Sequence, residues 1–165
     1  MKNNQDLQFS LRLQATAFLN KKVSRARISS IEQHGAYKKG MWGLANKKLP
    51  KIYILRKREG ILYVGITKSP LSSRFRYGLT ASGKNGYHGY AWKALAKEVQ
   101  SEVIDLFVYV FNNEERTEAI EAEVVYLIRN RTGKWPKYQT EIHFHQAAAQ
   151  EKRIAERIFH QISKS

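Results

Sequence analysis

Two short runs rich in β-branched and aromatic residues constrain this chain most. They are Ile52-Tyr53-Ile54-Leu55 and Ile61-Leu62-Tyr63-Val64-Gly65-Ile66, separated by Arg56-Lys57-Arg58-Glu59-Gly60. Strand-forming runs joined by a short charged link ending in Gly read as an antiparallel hairpin, with Glu59-Gly60 at its tip. The segments after the hairpin are ordered just as clearly. Pro70 after Ser69 opens a short helix over 71–77, since proline suits a first helical turn. Residues 91–100 read as a helix and 103–111 as a strand. Residues 114–130 read as a helix whose early acidic residues suit its dipole, stopped by Gly133 and Pro136. A short strand is expected over 141–144, and a helix over 146–162 with Ala149, Ile154, Ile158 and Ile162 inward. The order β-β-α-α-β-α predicts an α+β domain, a small antiparallel sheet of three main strands flanked by helices.

The region before Lys51 is harder to place. Over residues 5–20, Leu7, Leu11, Ala15, Phe18 and Leu19 share a helical face, while Leu7, Phe9, Leu11 and Leu13 alternate as in a strand. Length favours the helix. Ser24 is positioned to cap a second helix carrying Ile28 and Ile31, with Gly35 as its stop. Residues 35–50 read as a connector. The expected organisation is a basic helical extension over 1–50, a main domain over 51–145 and a C-terminal helix over 146–165.

Charge narrows the partner. The chain holds 29 Lys+Arg against 14 Asp+Glu, a net +15. Residues 1–60 carry 14 basic and 3 acidic side chains, residues 61–100 carry 6 and 1, and residues 101–165 carry 9 and 10. A folded chain with one strongly basic part attracts polyanions, nucleic acid first among them. There is no cysteine, which excludes disulfides and thiolate metal sites and fits a reducing compartment. No apolar run approaches the ~20 residues of a membrane span. The expectation is a soluble, cytoplasmic protein that does not engage a membrane.

Several residues are suited to chemistry. Tyr53 and Tyr63 lie on neighbouring strands, where side chains meet on one face. Arg74 comes next, on the short helix. Glu121 precedes Val124, Val125 and Ile128 by three, four and seven residues, at the edge of an apolar helical face. Spacing alone does not separate it from Glu118 or Glu123. His143 and His145 share one face of the expected strand, without a third ligand at metal-site spacing. Residues 78–90 are glycine-rich and carry Lys84, Tyr87 and His88, with Trp92 and Lys93 next, a mix suited to a phosphate backbone.

Together these residues resemble the GIY-YIG nuclease family. Its first motif reads Lys51-Ile52-Tyr53 here, with Lys in place of the first Gly, and its second reads Tyr63-Val64-Gly65. Arg74 matches its arginine and Glu121 its helical glutamate. Tyr77 or His88 stands for its usual His, and Gln139 for its late Asn. The resemblance implies a metal-dependent DNA endonuclease. Its catalytic residues are Tyr53, Tyr63, Arg74 and Glu121, the first tyrosine being the base, with Glu121 holding one Mg²⁺ (or Mn²⁺) per site. Arg76, Lys84, His88 and Lys93 are expected to contact DNA, and a homodimer is one expected assembly. The competing expectation is a non-catalytic nucleic-acid-binding module that retains the fold.

The charge distribution has a direct test. Affinity for non-specific duplex should fall steeply with salt, with a log–log slope of about −0.9 per phosphate neutralised. Titrations at several salt concentrations measure it, and a flat response would remove the electrostatic argument.

Overall fold

A computed structural model describes residues 6–16, 25–33, 36–38, 40–79, 94–95, 103–139 and 147–164. The strands are β1 (Asp6–Thr16), β2 (Arg25–Gln33), β3 (Ala36–Lys38), β4 (Lys51–Lys57), β5 (Gly60–Thr67) and β6 (Val103–Val110). The helices are α1 (Leu71–Leu79), α2 (Glu114–Thr132) and α3 (Ala149–Lys164), with a 3₁₀ turn at Gly43–Asn46. The sheet order is β3-β2-β1-β6-β4-β5 and every pairing is antiparallel.

The expected hairpin, short helix, third strand and two later helices are present, and the class is α+β. The N-terminal region differs from expectation. Residues 6–16 and 25–33 are strands, not helices, and β1 pairs with β6 from Asp6↔Tyr109 to Arg12↔Val103. The three main strands are therefore one half of a six-stranded sheet, and the described residues of 1–50 form strands, a 3₁₀ turn and connecting bends rather than the expected helices. The alternation at Leu7, Phe9, Leu11 and Leu13 is the periodicity that β1 obeys. A strand's partners lie far along the chain, so length is a poor arbiter. Ser24, Gly35, most of the expected helix over 91–100 and the expected strand over 141–144 lie outside the described residues.

Alternation assigns each face of the sheet. Ile52, Ile54, Val64, Phe107 and Tyr109 turn toward Ile120, Val124, Ile128, Ile158 and Ile162 of α2 and α3. Tyr53, Leu55, Tyr63, Leu106 and Val108 turn the other way, toward Leu71, Phe75 and Leu79 of α1 and toward Met41 and Ala45. Each fully buried aliphatic side chain contributes about 1.5–3 kcal/mol over its exposed state. Of the expected inward positions on α3, Ile158 and Ile162 are buried and Ile154 partly so, while Ala149 is exposed.

Two polar devices fix the helices. Arg56 donates to the Ile162 carbonyl and to Asp105 Oδ2, each at 2.7 Å, and tethers α3 to the sheet. Lys51 is fully buried. Its Nζ donates to the carbonyls of Lys47 (2.9 Å), Leu49 (2.7 Å) and Ser69 (3.1 Å), with Lys68 O at 3.5 Å. This binds the connector to the link entering α1. Asn46 completes the join, its Oδ1 accepting from Ser72 N (3.2 Å) and Ser72 Oγ (2.7 Å) at the start of α1.

Replacing Lys51 tests the first join. Lys51→Met strands several carbonyls and should lower unfolding free energy by about 2–4 kcal/mol in urea. Burial also pushes the Lys51 ammonium from 10.5 down to about 8. Between those values the unfolded chain binds the extra proton, so this group's contribution to stability rises with pH. That rise should be absent from Lys51→Met.

Candidate functional site

The β4–β5 register builds the site. Tyr53 pairs with Gly65 and Leu55 with Tyr63, so the tyrosines are diagonal neighbours on one face. Their ring centroids lie 5.8 Å apart. Phe75 from α1 packs on the Tyr53 ring at 5.9 Å. Arg74, one residue earlier on the helix, donates from Nε to the Tyr53 hydroxyl at 3.0 Å. The Pro70 carbonyl accepts from Arg74 N at 3.0 Å, the helical bond that sets where this arginine emerges.

Gly65 is required by close approach. A Cβ there would stand 2.5 Å from Tyr63 Cε1 and 2.8 Å from the Tyr53 hydroxyl oxygen. Both rings are locked by burial, Tyr53 at 0% exposure and Tyr63 at 7%. Their hydroxyls converge because this strand position carries no side chain.

Glu121 reaches the same site from α2. It is 3% exposed, whereas Glu118 and Glu123 are only partly buried. Of the three, Glu121 alone is buried. Its charge acts on Tyr63. Asn113 caps α2, its Oδ1 accepting from Arg116 N at 2.8 Å.

The electrostatics differ between the tyrosines. Burial pushes the Tyr53 hydroxyl well above its ordinary value, and Tyr63 pushes it further, against the lowering effect of Arg74. Burial also raises Tyr63, but Arg74's charge and hydrogen bonds from Tyr53 and Arg74 draw it down, while Glu121 raises it. Burial opposes the charge on Arg74, yet the two tyrosines outweigh it and raise its pKa. Hydrogen bonding within the group thus lowers the pKa of Tyr63, whereas the Tyr53–Tyr63 interaction raises that of Tyr53.

Tyr53, Tyr63 and Arg74 thus come together from two parts of the chain, and Glu121 of α2 is close enough for its charge to act on Tyr63. Gln139 stands beside them, its Oε1 accepting from Val64 N at 3.3 Å. It braces the strand between Tyr63 and Gly65, a part that its place in the chain alone did not assign. Tyr77 is 68% exposed and stays outside the buried group. Arg76 is exposed on α1, its guanidinium 5.3 Å from the Tyr77 ring centroid. Lys84, His88, Lys93, His143 and His145 lie outside the described residues.

No cluster of three or more His, Cys, Asp or Glu residues suited to a metal occurs among the described residues. A single carboxylate nevertheless fits Mg²⁺, which keeps several waters and binds through one or two carboxylates plus substrate phosphate. No described helix is long and apolar enough to cross a membrane. No family profile, curated protein or solved structure matches this chain significantly.

Gly65→Ala should push the tyrosine rings apart while the sheet stays paired. In the intact protein, Tyr53 and Tyr63 should resist ionisation above pH 10 when absorbance at 295 nm is followed. In Gly65→Ala they should titrate nearer the ordinary value of about 10. An unchanged titration would show that the close approach does not hold the rings.

Proposed function

We propose that this protein is a phosphodiester-cleaving nuclease acting on DNA, of the GIY-YIG type. The observation that carries the reading is the Arg74–Tyr53–Tyr63 group, whose tyrosines are buried and to which Arg74 is hydrogen-bonded, with the charge of Glu121 acting on it. The order of these residues along the chain, which resembles the family, and the net charge of +15 support it.

Arg74 binds a phosphate oxygen. A guanidinium has five donors in a planar fork and keeps its charge, so the Tyr53 bond does not exhaust it. Glu121 is the residue to hold Mg²⁺ or Mn²⁺, which when bound would supply charge stabilisation at the phosphate and the leaving oxygen.

Proton transfer falls to Tyr63 rather than to Tyr53, the base that the family resemblance implied. Tyr53 is the more deeply buried, and burial disfavours its anion most. Interactions with Arg74 and Tyr53 draw the Tyr63 pKa down, whereas Tyr63 raises that of Tyr53, so the anion is favoured at Tyr63. Its phenolate accepts a proton from the attacking water, while Tyr53 orients Arg74. One such site cuts one strand, so a double-strand break takes two copies, as in a homodimer, or two successive nicks.

Supercoiled plasmid DNA with Mg²⁺, against an EDTA control, tests the activity. Because burial raises the Tyr63 hydroxyl, the cleavage rate should climb with pH toward the alkaline side. Tyr63→Phe should lose ~10²-fold or more of the rate together with that pH dependence. Tyr53→Phe should lose less and keep the dependence. Glu121→Gln should abolish cleavage and spare DNA binding, whereas Arg74→Ala should weaken both. A chain that binds DNA but is inert on a broad panel of substrates and metals would instead be a binding module.

A further inference from the structure

A second site lies at the other end of the hairpin. The β4–β5 turn, the C-terminal end of α2 and the last turns of α3 enclose a cavity of about 730 Å³, within the ~300–1,000 Å³ of ordinary ligand sites. Ile61, Ile128, Phe159 and Ile162 give it an apolar floor. Lys57, Arg58, Lys134 and Lys137 stand around it, with Glu59 the one acidic residue among its described lining. Trp135 also lines it and is 50% exposed.

The chemistry of this cavity is that of a nucleic-acid strand. Its cations suit phosphates, but its floor does not, since burying a charge against aliphatic groups is costly. A heterocyclic base fits that floor and stacks on the indole. Arg129 already lies 5.8 Å from the Trp135 ring centroid, so the ring carries a cation on one side. The ends of α2 and α3 would otherwise present negative dipoles here. Arg56 takes the Ile162 carbonyl, Gly133 N donates to Arg129 O, and Thr132 Oγ1 donates to Ile128 O. The cations therefore set the sign of the cavity.

We infer that the cavity between the hairpin turn and the ends of α2 and α3 binds a single-stranded nucleic-acid segment, one base stacking on Trp135 and its phosphates meeting Arg58, Lys134 and Lys137. Bases in a duplex are already stacked on each other, so this contact selects unpaired strand. The inference rests on the nucleic-acid reading above and adds the strand form that the protein grips. The site also connects to the buried tyrosines. Lys137 N donates to Ile61 O (3.1 Å), Tyr138 N to Leu62 O (2.8 Å), and Gln139 Oε1 accepts from Val64 N. One segment thus lines the cavity and braces the strand that carries Tyr63.

The test measures anisotropy of fluorescein-labelled oligothymidylate and of a duplex of matched length, with the full chain in EDTA. Trp135→Ala should weaken the single strand ~10-fold or more, within the range of one base–aromatic stack, and leave the duplex nearly unchanged. Trp135→Phe should restore most of the loss, which guards against a folding defect. Lys134→Glu with Lys137→Glu should weaken the single strand and flatten its salt dependence. Equal losses for single strand and duplex, or none for either, would overturn the inference, and so would single-strand binding that is absent from the intact chain. Binding is read without metal, so failure to cleave plasmid would leave this result standing, and failure here would leave the cleavage assay standing.

Discussion

A single buried ammonium holds the scaffold around the tyrosines in register. Lys51 Nζ sits among carbonyls of Lys47, Leu49 and Ser69, supplied by two segments about twenty residues apart in the chain. Burying a charge is costly unless its hydrogen-bonding capacity is met, and carbonyl oxygens meet it without a counter-ion. The 40–50 connector is thereby fixed against the exit of β5. α1 starts from that exit, so the position of Arg74 over the sheet depends on the same lysine. The arginine's reach to Tyr53, at 3.0 Å, is the far end of this arrangement.

The sheet adds a second constraint. Two bulky aromatics on diagonal positions of one hairpin need room between their strands, and Gly65 opposite Tyr53 supplies it. Arg56 follows Leu55 on β4 and so falls on the opposite face, where its guanidinium lies 5.2 Å from the Phe107 ring centroid. From there it reaches Asp105 and α3. One strand therefore serves both faces, with an aromatic pair on one and a helix tether on the other.

Local patterns were legible where neighbours in sequence are also neighbours in space. The hairpin could be read because its runs alternate and its turn ends at Gly60, whose φ of 145° is strained for any side chain. α2 could be read from its acidic start and its glycine stop. The N-terminal strands could not, since the residues of β1 satisfied two periodicities and its partner β6 lies roughly a hundred residues away. Tyr53, Tyr63, Arg74 and Glu121 stood out by type and order, but only packing separated Glu121 from Glu118 and Glu123. Lys51 looked like a departure from a motif. Its cage is made of backbone carbonyls, which leave no trace in residue identity. The cavity beside Trp135 was hidden for a related reason. Charge summed by segment gave residues 101–165 almost no net sign, although Lys134 and Lys137 fold against Arg58.

The pairing of residues 137–139 along β5 bears on how copies of this chain can assemble. An outermost strand with open amides invites a strand from another molecule. Here Ile61 and Leu62 already accept from Lys137 and Tyr138, and Val64 N already donates to Gln139. At the opposite border β3 is only three residues long, too brief to template much growth. On the Tyr63 side the stretch from Ile61 to Val64 is thus closed to a strand from another molecule. The segment of β5 that carries Tyr63 therefore already has its edge hydrogen bonds within one copy of the chain.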